Sequence, residues 1–257
     1  MHRFFLPSSS FQGDSVIFPA ETTHQIARVL RLGQGDIVAA IDQDRQTGLE
    51  YSVKLIGTAS TQAVGTITGE IYPKTEPAHS LSIYLGLTQR EKFEWMLQKC
   101  TEIGVSVFIP MITSRSLVQD DKDYSRKAER WHRILKEAAE QSGRMVIPAL
   151  EQPMPFQKAL NHARENHQVA FIAWEKAKAG PEEFLSPHTG LQDCSRLAVM
   201  VGPEGGFSDE EVDLARGYHL HPITLGPRIL RMETAAVVAT ALILQELGDM
   251  RREPSRV

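Results

Sequence analysis

The stretch VMVGPEGGFSDEEV, residues 200–213, decides how this chain folds. An apolar run meets a loop of three glycines and one proline, and an acidic helix start follows. Strand, tight loop and helix in this order are typical of an α/β protein with a parallel sheet covered by helices. The loop itself is either a plain turn or a bare backbone that closes around a ligand.

A second loop of the same kind, LGPRILRMET at 225–234, also follows an apolar strand candidate and precedes a helix. In a parallel sheet both loops lie at the carboxyl ends of strands, where open α/β sheets bind their ligands. A third strand end, FIAWEK at 171–176, can close the same pocket. Neither loop has the spacing of the common dinucleotide or triphosphate motifs. One such loop could be an ordinary turn, but two together favour a pocket.

The amino-terminal part of the chain has a different pattern. Apolar and polar side chains alternate in LEYSVKLIG at 49–57, which predicts a strand, and one helix is predicted over 22–32, with a threonine cap at its start and Gly33 at its end. Short strands around one helix indicate a small barrel-like domain. The predicted limits are 1–72 for this domain, 73–80 for a linker, 81–248 for the α/β domain and 249–257 for a tail.

Strands and helices alternate along the second domain. Strands are predicted over 81–87, 105–112, 168–174, 196–202 and 221–226, and helices over 91–104, 122–144, 155–166, 208–217 and 234–247. The last helix, TAAVVATALILQEL, is apolar nearly all round. Such a helix must be buried, either within the chain or against a second subunit.

Composition limits the classes of function. The chain has 257 residues and a net charge of −4, so a broad basic surface for nucleic acid is excluded. A local basic segment, 122–144, places Arg126, Arg130 and Arg133 on one helical stripe, which is either a solvated face or a contact for RNA. We expect a cytoplasmic protein without a membrane span. The chain has two cysteines, lacks the apolar core of a signal peptide and has apolar runs too short for a bilayer.

Four blocks of the sequence carry a resemblance to a known family. They resemble, in the same order, blocks of the RsmE family, the small-subunit ribosomal RNA uridine-N3 methyltransferases. The four blocks are QREKFEWMLQKCTEIGV, ERWHRILKEAAEQSGR, VGPEGGFSDEE and LGPRILRMETA. The match runs over most of residues 81–245. The amino-terminal part, with MHRFF and HQIARVLRLGQGD, resembles the PUA-like RNA-binding domain of that family more weakly.

This resemblance implies a SPOUT-type α/β fold with a trefoil knot, a homodimer, S-adenosyl-L-methionine as the methyl donor and 16S ribosomal RNA as the partner. The knot is not visible in the periodicity, and general rules of chain topology argue against one. No metal is expected. The cofactor-binding positions carried over from the family are Trp174, Gly202, Glu204, Gly206, Leu225, Gly226, Ile229, Leu230 and Thr234.

The reaction implied by the family requires an imide nitrogen to lose its proton before it attacks a methyl group. We expect Arg231 to stabilise the developing negative charge and Glu233 to orient the base or accept its proton, with Glu204 as the competing proton acceptor. The expected RNA contacts are Arg3, Arg28, Arg31, Arg126, Arg130 and Arg144.

Two other functions remain alternatives. A non-catalytic RNA-binding factor in ribosome assembly could keep the fold without the activity, although the intact glycine loops speak against it. A nucleotide-dependent transferase or kinase is disfavoured because neither glycine loop carries a lysine and no paired aspartates suggest a magnesium site.

Overall fold

The computed structural model describes residues 1–59, 62–117, 124–185 and 194–251. The described chain forms two compact units. The first comprises Met1–Glu76 and Lys136–Ile147, and the second comprises Pro77–Leu135 and Pro148–Val257. The domain limits drawn from the sequence stay a prediction, and the packing adds 136–147 to the amino-terminal unit. Most of the predicted tail lies outside the described residues.

The first unit is built on one mixed sheet. Its described strands are β1 Arg3–Leu6, β2 Phe11–Gln12, β3 Ser15–Ile17, β4 Ile37–Asp42, β5 Glu50–Ala59 and β6 Gln62–Ile71, in the order β1-β4-β5-β6-β3-β2. All neighbours are antiparallel except β1 and β4, which run parallel. The core of this unit includes Phe4, Val16, Phe18, Ile26 and Val53.

The helix of this unit begins earlier than the sequence suggested. Helix α1 spans Ala20–His24 and continues as a wider π-helical turn over Gln25–Val29. No threonine caps it. Thr23 instead donates its hydroxyl to the Phe18 carbonyl and accepts from the Ala63 amide, joining the helix start to β6. Arg31, with φ of 55°, takes the left-handed conformation expected of Gly33.

The second unit is an α/β layer structure. Its strands are β7 Ser80–Gly86, β8 Val107–Ile112, β9 Ala149–Leu150, β10 Met154–Pro155, β11 Val169–Ala173, β12 Arg196–Val201 and β13 His221–Ile223. Its helices are α2 Arg90–Ile103, α3 Tyr124–Ser142, α4 Phe156–Asn166, α5 Pro181–Leu185, α6 Asp209–Gly217 and α7 Met232–Glu246, and the last part of α3 belongs to the first unit. Every described strand pair in this sheet is parallel.

The order of the strands in the parallel sheet determines which strand ends lie side by side. The sheet runs β10-β8-β7-β12-β11-β13, with β9 also beside β8. Strand β12 therefore enters between β7 and β11, two strands that precede it in the chain. A knotted chain requires a return of this kind, and the knot itself stays an implication of the family resemblance.

Helices cover both faces of the parallel sheet. On one face α4 and α6 pack on a core that includes Tyr84, Ile109, Phe156, Met200 and Val212. On the other face α7 packs against α2, α5, β7 and β12. One side of α7 is buried within the chain, whereas its Leu242 is 37% exposed, and burial of that side against a second subunit stays a prediction. Within the described part of the chain, no helix combines the length and the apolar character that a membrane span requires.

Candidate cofactor-binding site

A cleft of about 190 Å³ lies at the carboxyl ends of β11, β12 and β13. The three adjacent strand ends and the first turn of α7 form its walls. Its lining residues are 173–175, 201–206, 224–226, 228–230, Met232 and Ala235. This is the position that the sequence predicted for a ligand, and both glycine loops line it.

The loop after β12 is a tight turn and also a wall of the cleft. The Gly206 amide donates to the Pro203 carbonyl at 2.8 Å, which closes the turn. Gly206 has a φ of 64°, a conformation that glycine adopts without steric cost. The predicted capping box follows, with the Glu211 amide donating to Ser208 Oγ and the Ser208 amide donating to Glu211 Oε2. The two interpretations of this loop, turn and pocket, are therefore compatible.

Glu204 projects from this loop into a small polar cluster. Its Oε1 accepts hydrogen bonds from the Thr88 hydroxyl and, at 3.0 Å, from Lys92 Nζ. Burial raises the pKa of Glu204. The hydrogen bonds from Thr88, the backbone and Lys92 together lower it by more than burial raises it, so the pKa of Glu204 lies below its usual value. A carboxylate held in this way is a weak proton acceptor.

The loop is also held by residues that the sequence analysis missed. Arg115 Nη1 donates to the carbonyl oxygens of Gly205 at 2.8 Å and Phe207 at 3.3 Å. Glu211, which is 9% exposed, accepts from the Ser114 amide at 2.9 Å and so ties the turn after β8 to the start of α6. Arg115 and Ser114 lie far from the loop in the sequence, and no local pattern marks them.

The second glycine loop begins with another constrained glycine. Gly226 has a φ of 111°, and its amide donates to Thr224 Oγ1 at 3.3 Å. Beyond it, Ile229 is 87% exposed. A large apolar side chain in water at the rim of a cleft is suited to contact with a ligand or a partner surface.

Trp174 closes the third side. Its amide donates to the Ile223 carbonyl at 2.9 Å, which fixes the end of β11 beside β13. Lys176 and Arg216 approach its ring at 5.6 Å and 5.4 Å from the centroid. Its indole Nε1 is buried and has no hydrogen-bond partner among the described residues.

The expected catalytic residues flank the cleft and do not line it. Arg231 is exposed and immediately precedes α7, whereas Arg228 does line the cleft. Glu233 lies in the first turn of α7, where its Oε2 is buried without a hydrogen-bond partner in the described chain. Thr234, expected near the cofactor, is exposed and outside the lining. The other eight expected cofactor positions all line the cleft.

The expected RNA-binding arginines differ in their surroundings. Arg144 is only 3% exposed and pairs with Glu76 at 2.7 Å, so burial removes it from a surface for RNA. Arg3 pairs at 2.5 Å with Glu50, which is 1% exposed. Arg130 binds both carboxylate oxygens of Glu94. Arg28, Arg31 and Arg126 are exposed.

The cleft suits a small cofactor better than a metal ion. The described residues contain no group of three or more His, Cys, Asp or Glu side chains placed to hold a metal. The cleft offers main-chain groups of two glycine loops, apolar side chains and the aromatic side chain of Trp174. These groups fit an adenine-bearing molecule such as S-adenosylmethionine, which needs amide donors and acceptors and an apolar wall.

The fold and the site thus define an α/β protein with a cofactor cleft, and comparison with known proteins identifies it further. Residues 74–244 match the family described as RNA methyltransferase domain. A ribosomal RNA small subunit methyltransferase E from Bacillus subtilis is 32% identical over 256 residues, covering 98% of this chain and 99% of that protein. The chain belongs to this family, the small-subunit ribosomal RNA methyltransferases E.

Solved structures agree with this assignment. A ribosomal RNA small subunit methyltransferase E from Neisseria gonorrhoeae, bound to S-adenosylmethionine, is 25% identical with a TM-score of 0.83, covering 95% of this chain and 97% of that one. A protein from Legionella pneumophila, solved with bound S-adenosylmethionine, is 28% identical with a TM-score of 0.83, covering 95% and 96% of the two chains. The expected SPOUT-type α/β fold is confirmed by this likeness.

Proposed function

We propose that this chain uses S-adenosylmethionine to methylate N3 of a specific uridine in 16S ribosomal RNA. The observation that carries the proposal is the cleft at the ends of β11, β12 and β13, which two glycine loops line with main chain. Membership of the methyltransferase E family supports the ribosomal substrate, and the relatives solved with S-adenosylmethionine support the cofactor.

The cleft residues would hold the cofactor through main-chain and apolar contacts rather than through charged side chains. The loops around Gly202, Gly206 and Gly226 let main-chain atoms approach closely, and Leu225, Ile229 and Leu230 add apolar contact. Trp174 supplies a flat aromatic wall. When bound, S-adenosylmethionine supplies an electrophilic methyl group.

The chain's own residues must remove a proton and steady a charge. Deprotonation of a uracil N3 spreads negative charge onto its two carbonyl oxygens, which a guanidinium can stabilise. Arg231 is exposed at the start of α7, beside the cleft, and is our candidate for that role. Glu233 is the candidate base because it follows the second glycine loop in the first turn of α7. Its Oε2 is buried and accepts no hydrogen bond from the described residues, so the side chain would have to turn toward the substrate. Glu204 is less suited, because Thr88 and Lys92 occupy its Oε1.

The proposed RNA contacts are exposed arginines on each unit. Arg28 and Arg31 lie in the amino-terminal unit, and Arg126 and Arg130 lie on α3. Arg130 would exchange Glu94 for a phosphate. Because the chain has a net charge of −4, RNA binding would rest on such local groups of arginines and not on a broad basic surface.

A homodimer acting in the cytoplasm completes the proposal. The exposed side of α7 carries Leu242, which is 37% exposed, and neighbouring α2 carries Trp95, which is 43% exposed. Helices α2 and α7 pack against each other, so these side chains offer apolar area for a second copy. Sedimentation of the purified chain tests this part, and a monomer at micromolar concentration contradicts it.

Mapping the modified nucleoside tests the activity. Small subunits that lack the modification are incubated with the chain and methyl-labelled S-adenosylmethionine, and the digested RNA is analysed by mass spectrometry. We expect one labelled 3-methyluridine per subunit. The non-catalytic alternative predicts RNA binding without label. Label on another atom or another base contradicts the assignment of N3. Free 16S RNA in a parallel reaction shows whether the assembled subunit is required.

A further inference from the structure

We propose that Arg115 is a positioning residue for methyl transfer, one that holds the loop 203–207 in the shape that receives the cofactor. The inference rests on the proposed function of the cleft. Arg115 is not among the lining residues of the cleft, so its effect must pass through the loop. Its Nη1 donates to two loop carbonyls, those of Gly205 and Phe207.

The aliphatic part of Arg115 also covers the loop. A Cβ built on Gly205 would have three nearest neighbours, all of them Arg115 side-chain atoms, with Cβ at 3.2 Å and Cδ at 3.3 Å. Gly205 has no left-handed φ. Its lack of a side chain therefore serves the close approach of the arginine rather than the turn. Arg115 covers the face of Gly205 to which a side chain would point, and Gly205 itself lines the cleft.

Arg115 is itself held in place. It lies in a turn after β8 that is closed by the Ser116 amide donating to the Thr113 carbonyl at 3.2 Å. Glu211 accepts from the Ser114 amide, which joins this turn to the capping box of α6. Glu211 thus fixes the end of the loop at the start of α6, and Arg115 holds the carbonyls of Gly205 and Phe207. A preformed loop binds its ligand without first losing conformational entropy.

Kinetics of three Arg115 variants test the proposal. Arg115→Met keeps the stem without donors, Arg115→Lys keeps the stem with a donor, and Arg115→Ala removes both. We expect KM for S-adenosylmethionine to rise about five- to tenfold in the Met and Ala variants, as loss of a charge-assisted hydrogen bond predicts. The Lys variant should recover most of this loss. The kcat at saturating cofactor should stay within about twofold in all three, since the chemistry is untouched.

Arg196→Ala is the matched control. Arg196 is an exposed arginine at the amino end of β12, whereas the loop follows the carboxyl end of the same strand. An unchanged KM for S-adenosylmethionine in Arg115→Met overturns the proposal, and so does a rise in KM for RNA alone. If the wild-type chain does not bind S-adenosylmethionine in calorimetry, the proposed function fails before this comparison is made.

A double-mutant cycle gives a second, independent test. Gly205→Ala should weaken cofactor binding in the wild-type background, because its methyl group would displace Arg115. The same substitution should cost less cofactor affinity when Arg115 is already alanine, because Cγ and Cδ are then absent and only the contact with Cβ at 3.2 Å remains. Additive losses of affinity in the cycle would mean that the methyl group disturbs the cleft directly, and would overturn the link between the two residues.

Discussion

Gly86 and Pro203 approach so closely that no side chain fits between them. A Cβ built on Gly86 would lie 2.6 Å from the Pro203 nitrogen and 2.8 Å from its Cδ. Gly86 ends β7, and Pro203 follows the neighbouring strand β12. The cofactor loop therefore packs directly on the end of the adjacent strand, and its position depends on a residue outside the loop.

Replacement of Gly86 by alanine should displace the loop and weaken cofactor binding. Backbone atoms cannot yield as a flexible side chain does, so we expect a loss of stability of about 1–3 kcal/mol and at least about a tenfold loss of affinity for S-adenosylmethionine. Calorimetry and urea unfolding measure the two effects. Gly217→Ala is the control, because a Cβ there meets nothing within 4 Å. Equal behaviour of the two variants would contradict the packing argument.

Arg144→Ala should destabilise the fold rather than weaken RNA binding. Glu76 accepts from the Arg144 guanidinium and from the Met145 amide, and its carboxylate would keep only part of these bonds. Arg144 is buried but Glu76 is 28% exposed, so we expect the loss of this pair to cost about 1–3 kcal/mol. Urea unfolding should show a loss of that order, against less than about 0.5 kcal/mol for the exposed Arg133→Ala. A stable Arg144→Ala protein with weakened RNA affinity would restore Arg144 to the RNA surface.

The glycine loop on one hand, and Arg144 and Arg115 on the other, show what the sequence can and cannot predict. The strand, loop and helix around Gly202 and Ser208 follow from local periodicity and capping chemistry, and so does a cleft at the strand ends. Arg144 and Arg115 could not be assigned, because charge in a sequence does not reveal burial or a partner distant along the chain. In the sequence, an arginine that contacts RNA at the surface looks the same as Arg144, which is buried in an ion pair. Arg115 has no local sequence signal.

His167 should make stability depend on pH. Burial lowers the pKa of His167 by more than its hydrogen bond to the Ala163 carbonyl raises it, and His162 and Arg196 lower it further. The unfolded chain then binds a proton more readily than the folded one, so stability falls as the pH drops below about 6.5. His167→Gln should reduce this loss between pH 6.5 and 5, measured by urea unfolding. His221→Gln serves as a comparison, since burial also lowers the pKa of His221. An identical pH dependence in wild type and His167→Gln contradicts the assignment.

Arg231→Ala should reduce turnover by about ten- to a hundredfold, with little change in cofactor affinity, if Arg231 stabilises the charge on the base. Arg228 is the informative comparison, because it lines the cleft while Arg231 does not. Arg228→Ala should instead raise KM for S-adenosylmethionine. Single-turnover rates at saturating cofactor separate the two effects. If turnover is lost in Arg228→Ala and normal in Arg231→Ala, the roles of the two arginines must be exchanged.

The two candidate bases can be separated by glutamine substitutions. Glu233→Gln should lower kcat by about a hundredfold or more and remove the acid limb of the pH–rate profile, since a base must lose its proton before it acts. Glu204→Gln should keep that limb and lose cofactor affinity, because Glu204 anchors the loop through Thr88 and Lys92. Hydrogen bonds from Thr88, the backbone and Lys92 outweigh the effect of burial and hold the pKa of Glu204 below its usual value, which weakens it as a proton acceptor. Thr88→Val should show the same loss of affinity as Glu204→Gln, with the pH limb intact. An acid limb that disappears in Glu204→Gln and persists in Glu233→Gln would make Glu204 the base.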